Sequence, residues 1–176
     1  IAVYFLATGK FLVGGIFIWI SGTSDIIDGK IARSREAGTK FGALYDSALD
    51  RYAEFAIYFG FGFFFVKNED YLFSIVTYIA LGGSLMTSYI RARSEALDLF
   101  CKVGMMQRPE RIVYLGGAAI LSSISWFALV PIKIVLIMVA VFANITAIQR
   151  MNHIYDLTDK GRELLPTDPP KEKPAN

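Results

Sequence analysis

Long apolar stretches separated by short polar segments dominate the sequence. After an apolar start at residues 1–7, five stretches follow, at residues 11–27, 41–66, 71–90, 112–130 and 132–147. A helix needs about 20 residues to cross the hydrocarbon core of a bilayer, and the first full stretch would span roughly 25 Å at about 1.5 Å per residue. The pattern predicts an all-α integral membrane protein, with residues 1–7 as the end of a truncated first helix.

Three short segments are expected to be turns between these helices. They are Gly9-Lys10, residues 68–70 and the region of residues 125–131. The tail from Leu165 onward, LPTDPPKEKPAN, is rich in Pro and Lys, a composition that favours disorder. We therefore expect a transmembrane domain at residues 1–160 and a polar, disordered tail at residues 161–176.

The composition agrees with this interpretation. The chain is 54% hydrophobic and 14% aromatic, with a mean hydropathy of +0.44, and these values exceed those of a typical soluble domain. A single cysteine, Cys101, excludes an intramolecular disulfide, and the sequence has no Cys/His cluster that would suggest zinc.

Lysine and arginine are distributed unevenly about the apolar stretches. When the chain is traced alternately across the membrane, one side receives Lys30, Arg33, Arg35, Lys40, Arg91, Arg93, Lys102, Arg108, Arg111 and Arg150. The other side keeps Lys10, Lys67 and Lys133. We expect the protein to be integral to the cell membrane. The positive-inside rule then predicts that the polar segment between the first two full stretches lies on the cytoplasmic side.

That segment, SDIIDGKIARSREAGTKFGALYDSALDR, contains four aspartates. On helices, a spacing of three places Asp25 and Asp28 on one face, and a spacing of four does the same for Asp46 and Asp50. Four carboxylates that converge in a low dielectric repel one another strongly unless they are compensated. One divalent cation, or a pair about 3.5–4 Å apart, is the usual compensation, and all-oxygen ligands favour Mg²⁺ or Mn²⁺.

The residues between the two aspartate pairs suit a phosphate. Gly29 leaves the backbone open to a ligand, and Arg33 offers a forked cation. A single aspartate at the end of a span is usually a solvated cap. Four at this spacing, with two glycines and an arginine between them, indicate a functional site, because ionisable groups in membrane segments are functional by default. The residues therefore predict a metal-bound phosphorylated ligand at the membrane surface.

The segment resembles the complete signature of the CDP-alcohol phosphotransferase family, which this chain has as Asp25-x2-Asp28-Gly29-x2-Ala32-Arg33-x8-Gly42-x3-Asp46-x3-Asp50. The resemblance implies a fold of six transmembrane helices that usually forms a homodimer. It also implies an enzyme in which a hydroxyl attacks the β-phosphorus of a CDP-activated lipid or alcohol and releases CMP. The domain at residues 1–160 would then be catalytic.

The resemblance also assigns roles to individual residues. Two Mg²⁺ or Mn²⁺ ions would be bound by Asp25, Asp28, Asp46 and Asp50. Asp50 would in addition act as the base that takes the proton of the acceptor hydroxyl. The CDP portion of the lipid would contact Gly29, Arg33 and Thr39. Because the family's first helix normally brings further nucleotide contacts, the CDP site is expected to be incomplete in this chain.

A second basic group bears on the acceptor. The stretches SYIRARSEA, QRPER and AIQR bring arginines from three separate elements to the side of the aspartates. For Arg93 and Arg108 the positive-inside rule is an equally good explanation. Guanidinium groups suit a phosphate dianion, so the group predicts a phosphorylated acceptor held by Ser88, Arg91, Arg111 and Arg150.

The stretches GTKFGALYDSALDR, SYIRAR and QRPER resemble the phosphatidylinositol-phosphate synthase branch of the family, and the likeness extends over nearly the whole chain. It implies transfer of a phosphatidyl group from CDP-diacylglycerol to inositol 1-phosphate, with the four residues just named holding the inositol phosphate. One departure is Arg91, where that branch typically has lysine. The charge is kept, but a forked and bulkier group can alter the acceptor or its affinity.

Two other functions stay open. A different acceptor, such as glycerol 3-phosphate, serine or a free alcohol, would keep the chemistry of the family. A cation transporter would use the carboxylates as an ion path, although transporter sites usually lie at the bilayer midplane and these carboxylates gather at one face. Membrane lipid is an expected partner, and nucleic acid is not.

Overall fold

The computed structural model of the protein describes residues 1–34, 39–101, 103–124, 126 and 128–158. The side chains of residues 23–34 and 40 lie outside this description, as does the predicted tail at residues 161–176. The described chain forms helices α1 (Ala2–Ala7), α2 (Phe11–Ser34), α3 (Lys40–Lys67), α4 (Tyr71–Glu95), α5 (Arg108–Ser122) and α6 (Val130–Leu157). An all-helical fold is thereby confirmed.

Local sequence explains where several helices begin and end. Gly9 has a φ of +76°, which glycine adopts readily, and it turns the chain between α1 and α2. The hydroxyl of Thr39 accepts the backbone N–H of Gly42 at 2.9 Å and so caps α3. Asp70 caps α4 in the same way by accepting the N–H of Phe73 at 3.3 Å. The two turns predicted before α2 and before α4 are therefore confirmed.

The third predicted turn, at residues 125–131, overlaps the observed connection between α5 and α6, but α5 ends earlier than its apolar stretch does. The apolar stretch continues to residue 130, but the helix ends at Ser122. The hydroxyl of Ser122 accepts the N–H of Ile132 at 3.1 Å, and Ala128 has a φ of +47°, so an apolar segment turns here instead of extending the helix. The next helix starts at Val130, with Pro131 in its first turn, where the missing N–H costs no helical hydrogen bond.

The helices pack around a shared apolar core. α4 lies against α3 and α6, α2 against α5, and α1 contacts both α2 and α3. Fully buried core side chains include Leu6, Phe61, Leu115 and Leu136. Small residues allow the closest approach between helices, as is typical of membrane bundles. A Cβ on Gly15 of α2 would lie 2.7 Å from the carbonyl oxygen of Gly116 on α5.

Two of the described helices are long and apolar enough to cross a bilayer. They are α4, with a mean hydropathy of 1.4, and α6, with 2.2. Phe11–Gly22 at the start of α2 is a shorter apolar helix. Most of the predicted polar segment is helical, because α2 continues to Ser34 and α3 starts at Lys40. The four aspartates of the predicted metal site therefore lie on two long helices, with Asp25 and Asp28 on α2 and Asp46 and Asp50 on α3.

Candidate functional site

A cavity of about 340 Å³ lies between α3, α4, α5 and α6. Helix α3 contributes Asp50, the predicted base. The three other helices contribute the predicted acceptor residues, which are Ser88 and Arg91 on α4, Arg111 on α5 and Arg150 on α6. The structure thus brings together five residues that are up to 100 positions apart in the sequence, from Asp50 to Arg150. Their roles toward a substrate stay predictions.

Asp46 and Asp50 lie one turn apart on α3. Asp46 is exposed, whereas Asp50 is partly buried and its Oδ2 accepts a hydrogen bond from Nη1 of Arg108 at 2.5 Å. Charge-assisted bonds of this kind are short and strong. Arg108 therefore directly contacts the predicted base, a contact that the charge distribution along the sequence did not indicate.

The other two aspartates of the predicted metal site lie on α2. The helix continues through Asp25, Asp28 and Gly29, but the side chains of both aspartates and of Arg33 lie outside the described residues. Among the side chains that are described, no three of His, Cys, Asp or Glu are grouped so as to hold a metal ion. The donor chemistry of the aspartates fits a hard divalent cation, and the four-carboxylate site stays a prediction.

Thr39, predicted to contact the nucleotide, lies at the start of α3. Its exposed hydroxyl is engaged as the helix cap, with the N–H of Gly42 as donor. This contact gives Thr39 a structural role. A nucleotide contact by the same oxygen stays a prediction.

Arg111 and Glu54 form a buried ion pair at the wall of the cavity. The distance from Nε of Arg111 to Oε1 of Glu54 is 2.9 Å, and each side chain is 1% exposed. Arg111 also donates from Nη1 to the carbonyl of Met106 at 3.1 Å and from Nη2 to the hydroxyl of Ser88 at 3.5 Å. The hydroxyl of Ser84 donates to the same Oε1 of Glu54.

Glu54 is not among the residues that the sequence singled out. One signal was available, because the spacing of four that relates Asp46 to Asp50 continues to Glu54. A third acidic residue on the same helix face is therefore readable from the sequence. Its partner Arg111, 57 positions later, is not.

Arg150 and Arg91 lie in the cavity in very different ways. Arg150 is 3% exposed, and it donates from Nε to the carbonyl of Val103 at 2.9 Å and from Nη1 to that of Thr87 at 2.6 Å. Although the apolar stretch ends at residue 147, α6 continues past Arg150 to Leu157. Arg91 lies at the exposed rim and pairs with Glu95 one turn later at 2.9 Å.

Comparisons with known proteins cover nearly the whole chain. The family model described as CDP-alcohol phosphatidyltransferase matches residues 1–158. A phosphatidylinositol phosphate synthase of Mycobacterium marinum is 34% identical over 95% of this chain and 72% of its own length. An archaetidylinositol phosphate synthase of Methanothermobacter thermautotrophicus is 32% identical over 85% of this chain and 73% of its own length.

Solved structures of the phosphatidylinositol phosphate synthase of Mycobacterium tuberculosis have a similar fold. The crystal structure with CDP-DAG bound has a TM-score of 0.80 at 31% identity, covering 88% of this chain and 78% of that chain. The structure in complex with manganese and citrate has a TM-score of 0.81 at 31% identity, covering 88% and 75%.

Proposed function

Because this chain belongs to the CDP-alcohol phosphatidyltransferase family, we propose that it transfers a phosphatidyl group from CDP-diacylglycerol to inositol 1-phosphate and releases CMP. The resemblance of the aspartate signature to this family, and with it the enzyme class, is confirmed. One observation carries the choice of acceptor, namely the cavity in which Asp50 lies beside the two buried arginines Arg111 and Arg150. The names of the relatives from Mycobacterium marinum and Methanothermobacter thermautotrophicus support an inositol phosphate.

The charges of the cavity favour a phosphorylated acceptor. Arg111 is balanced by Glu54, but the described contacts of Arg150 are to two neutral carbonyls. The positive charge of Arg150 therefore stays available to an anion. Arg91 also lines the cavity, at the rim, where it is paired with Glu95. A phosphate dianion held by charge-assisted bonds is the ligand that best matches this arrangement.

Within this proposal Asp50 accepts the proton of the acceptor hydroxyl as the new bond to phosphorus forms. Arg108 holds one oxygen of that carboxylate and so fixes its orientation in the cavity. The residues that would hold the CDP portion are Gly29, Arg33 and Thr39.

The residues that would hold two Mg²⁺ or Mn²⁺ ions are Asp25, Asp28, Asp46 and Asp50. When bound, such ions neutralise the pyrophosphate and stabilise the charge on the departing CMP. The manganese complex of the Mycobacterium tuberculosis enzyme supports this choice of metal. The oxygen-only donor set of this chain supports it independently.

We also propose that residues 1–160 form one transmembrane catalytic domain of six helices, followed by the polar tail at residues 161–176. The uneven distribution of lysine and arginine supports a cavity that faces the cytoplasm. The family resemblance supports a homodimer. Labelling of introduced cysteines from each side of sealed vesicles tests the orientation. Cross-linking in the membrane tests the dimer.

The decisive experiment measures release of radiolabelled CMP from CDP-diacylglycerol by the purified protein. We expect release with inositol 1-phosphate, little with glycerol 3-phosphate or free inositol, and none in excess EDTA until Mg²⁺ or Mn²⁺ is returned. Faster release with glycerol 3-phosphate would identify that compound as the acceptor and leave the assignment to the family unchanged. Full turnover in excess EDTA would refute the metal assignment. Family membership leaves the cation-transporter alternative without support.

A further inference from the structure

We infer that Glu54 is a positioning residue for the acceptor phosphate and that it acts through Arg111. The inference rests on the proposed function, because it concerns the same cavity. Arg111 lines the cavity, whereas Glu54 lies behind it and contacts the guanidinium. Glu54 therefore acts on a ligand only by fixing the group that touches the ligand.

The contacts of Arg111 fix the plane of its guanidinium. Nε donates to Glu54, one N–H of Nη1 donates to the carbonyl of Met106, and one N–H of Nη2 points to Ser88. These contacts use three of the roughly five N–H groups that a guanidinium carries. One N–H on each terminal nitrogen is left over, and these two donors remain for a phosphate in the cavity.

Glu54 is itself fixed from a second side. Ser84 on α4 donates to the Oε1 that also accepts from Arg111. A chain of contacts thus runs from Ser84 through Glu54 and Arg111 to Ser88, and it links α3, α4 and α5. The acceptor arginine is held in one orientation before any ligand arrives, which is the arrangement that reduces the entropic cost of binding.

A contribution to the stability of the fold is a poor explanation for the buried carboxylate of Glu54. Its Oε2 is buried and has no hydrogen-bond partner within the described part of the chain. Burial of an ion pair is costly, and apolar side chains of similar volume often stabilise a fold as well or better. A charged pair whose arginine lines the acceptor cavity instead matches a role in holding that arginine.

The test compares Glu54→Gln with the wild type in steady-state kinetics. The substitution keeps the shape of the side chain and removes its charge. We expect the KM for inositol 1-phosphate to rise by roughly tenfold, equivalent to about 1.4 kcal/mol, while the KM for CDP-diacylglycerol stays unchanged. Inorganic phosphate, as a competitor of the acceptor, should lose inhibitory potency by a similar factor.

A double-mutant cycle shows whether Glu54 acts through Arg111. In an Arg111→Lys background, which lacks the guanidinium, Glu54→Gln should have little further effect on the acceptor KM. Independent, additive effects would overturn the inference. A matched control is Asp70→Asn, which breaks the 2.6 Å ion pair with Lys133 elsewhere in the protein. It should leave the acceptor KM unchanged.

An unchanged acceptor KM in folded Glu54→Gln, or equal changes in both KM values, would also overturn the inference. If Glu54→Gln does not fold, Ser84→Ala decides, since it removes only the second hydrogen bond to Glu54. A smaller rise in the acceptor KM alone supports the positioning role, and no change contradicts it. Failure of the proposed function would look different, because the wild type itself would then release no CMP with inositol 1-phosphate.

Discussion

Two ion pairs in different parts of the bundle hold their charges in opposite ways. In the cavity, Glu54 and Arg111 are each 1% exposed and meet at 2.9 Å. At the turn between α3 and α4, Asp70 and Lys133 meet at 2.6 Å with side chains 27% and 31% exposed. The ammonium of Lys133 also lies 4.4 Å from the centre of the Phe73 ring. The second pair ties α6 to the turn and remains open to water.

This difference separates two uses of charge in one small protein. An exposed pair that is broken leaves groups that water can solvate, so it contributes at most about 1 kcal/mol. A buried pair that is broken leaves a charge without compensation. The pair of Asp70 and Lys133, which joins α6 to the turn, is of the first, water-accessible kind. The buried pair of Glu54 and Arg111 lies at the wall of the cavity, where it holds the guanidinium in one orientation.

The largest effect is expected from Asp50→Asn, because the cavity then loses its predicted base. Turnover should fall by roughly 10²–10⁴-fold, the usual contribution of general base catalysis. Binding of CDP-diacylglycerol, measured by calorimetry, should be mostly retained, because the predicted role of Asp50 as the base concerns the acceptor hydroxyl and not the lipid. Asp46→Asn is the matched control and should weaken both binding and turnover. An equal loss of lipid affinity in the two variants would make Asp50 chiefly a metal ligand.

Arg111→Ala should cause the largest loss of stability, because Glu54 would stay buried without its partner. We expect the free energy of unfolding to fall by about 3–5 kcal/mol. Lys133→Ala, which breaks the exposed pair, should cost no more than about 1 kcal/mol. Denaturant or thermal unfolding in detergent measures both variants. Similar losses in the two would remove the distinction between the pairs.

Arg150→Gln sharpens the comparison within the cavity. A charge-assisted hydrogen bond contributes about 1.5–3 kcal/mol, so the KM for inositol 1-phosphate should rise by roughly tenfold to a hundredfold. Arg91→Gln should have a smaller effect, because Arg91 lies at the exposed rim. The KM for CDP-diacylglycerol should change little in either variant. A rise confined to the CDP-lipid KM would assign these arginines to the nucleotide site.

The smallest effect concerns the pH dependence of Asp70. The hydrogen bond from Lys133 lowers the pKa of this carboxyl, so the ion pair stabilises the folded protein above the unfolded pKa of about 3.9. This stabilisation should be lost as the pH falls through the lower folded pKa. Asp70→Asn should abolish that part of the melting-temperature profile. An unchanged profile would show that the pair contributes nothing to folding.

The sequence predicts most of the helices because their signals are local. Gly9 and the capping Asp70 mark turns, and long apolar stretches mark the helices between them. The sequence predicts a turn after α5 but not its exact start at Ser122, because hydropathy does not distinguish an apolar turn from an apolar helix. The bond from Ile132 to Ser122 that defines this end forms only when the following helix is in place.

The site could be predicted in part for the same reason. The aspartates follow one another at helical spacings, and the arginines lie on one side by the charge pattern, so both are readable along the chain. The pairing of individual groups is not. Arg108 reaches Asp50 across 58 positions, and Arg111 reaches Glu54 across 57, so these contacts depend on how α5 packs against α3.

The connection between α4 and α5, residues 96–107, is held by its main chain. Its carbonyls at Val103 and Met106 accept from Arg150 and Arg111. Since every residue type offers the same carbonyl, sequence drift at such positions preserves both bonds, whereas an insertion or deletion would displace them. Gly104 and Met106 are exceptions. Gly104 has a φ of +127° and a Cβ there would lie 2.3 Å from Thr146, and the side chain of Met106 is buried in the core. Over evolution, the length of this segment should therefore be inherited more faithfully than its residues.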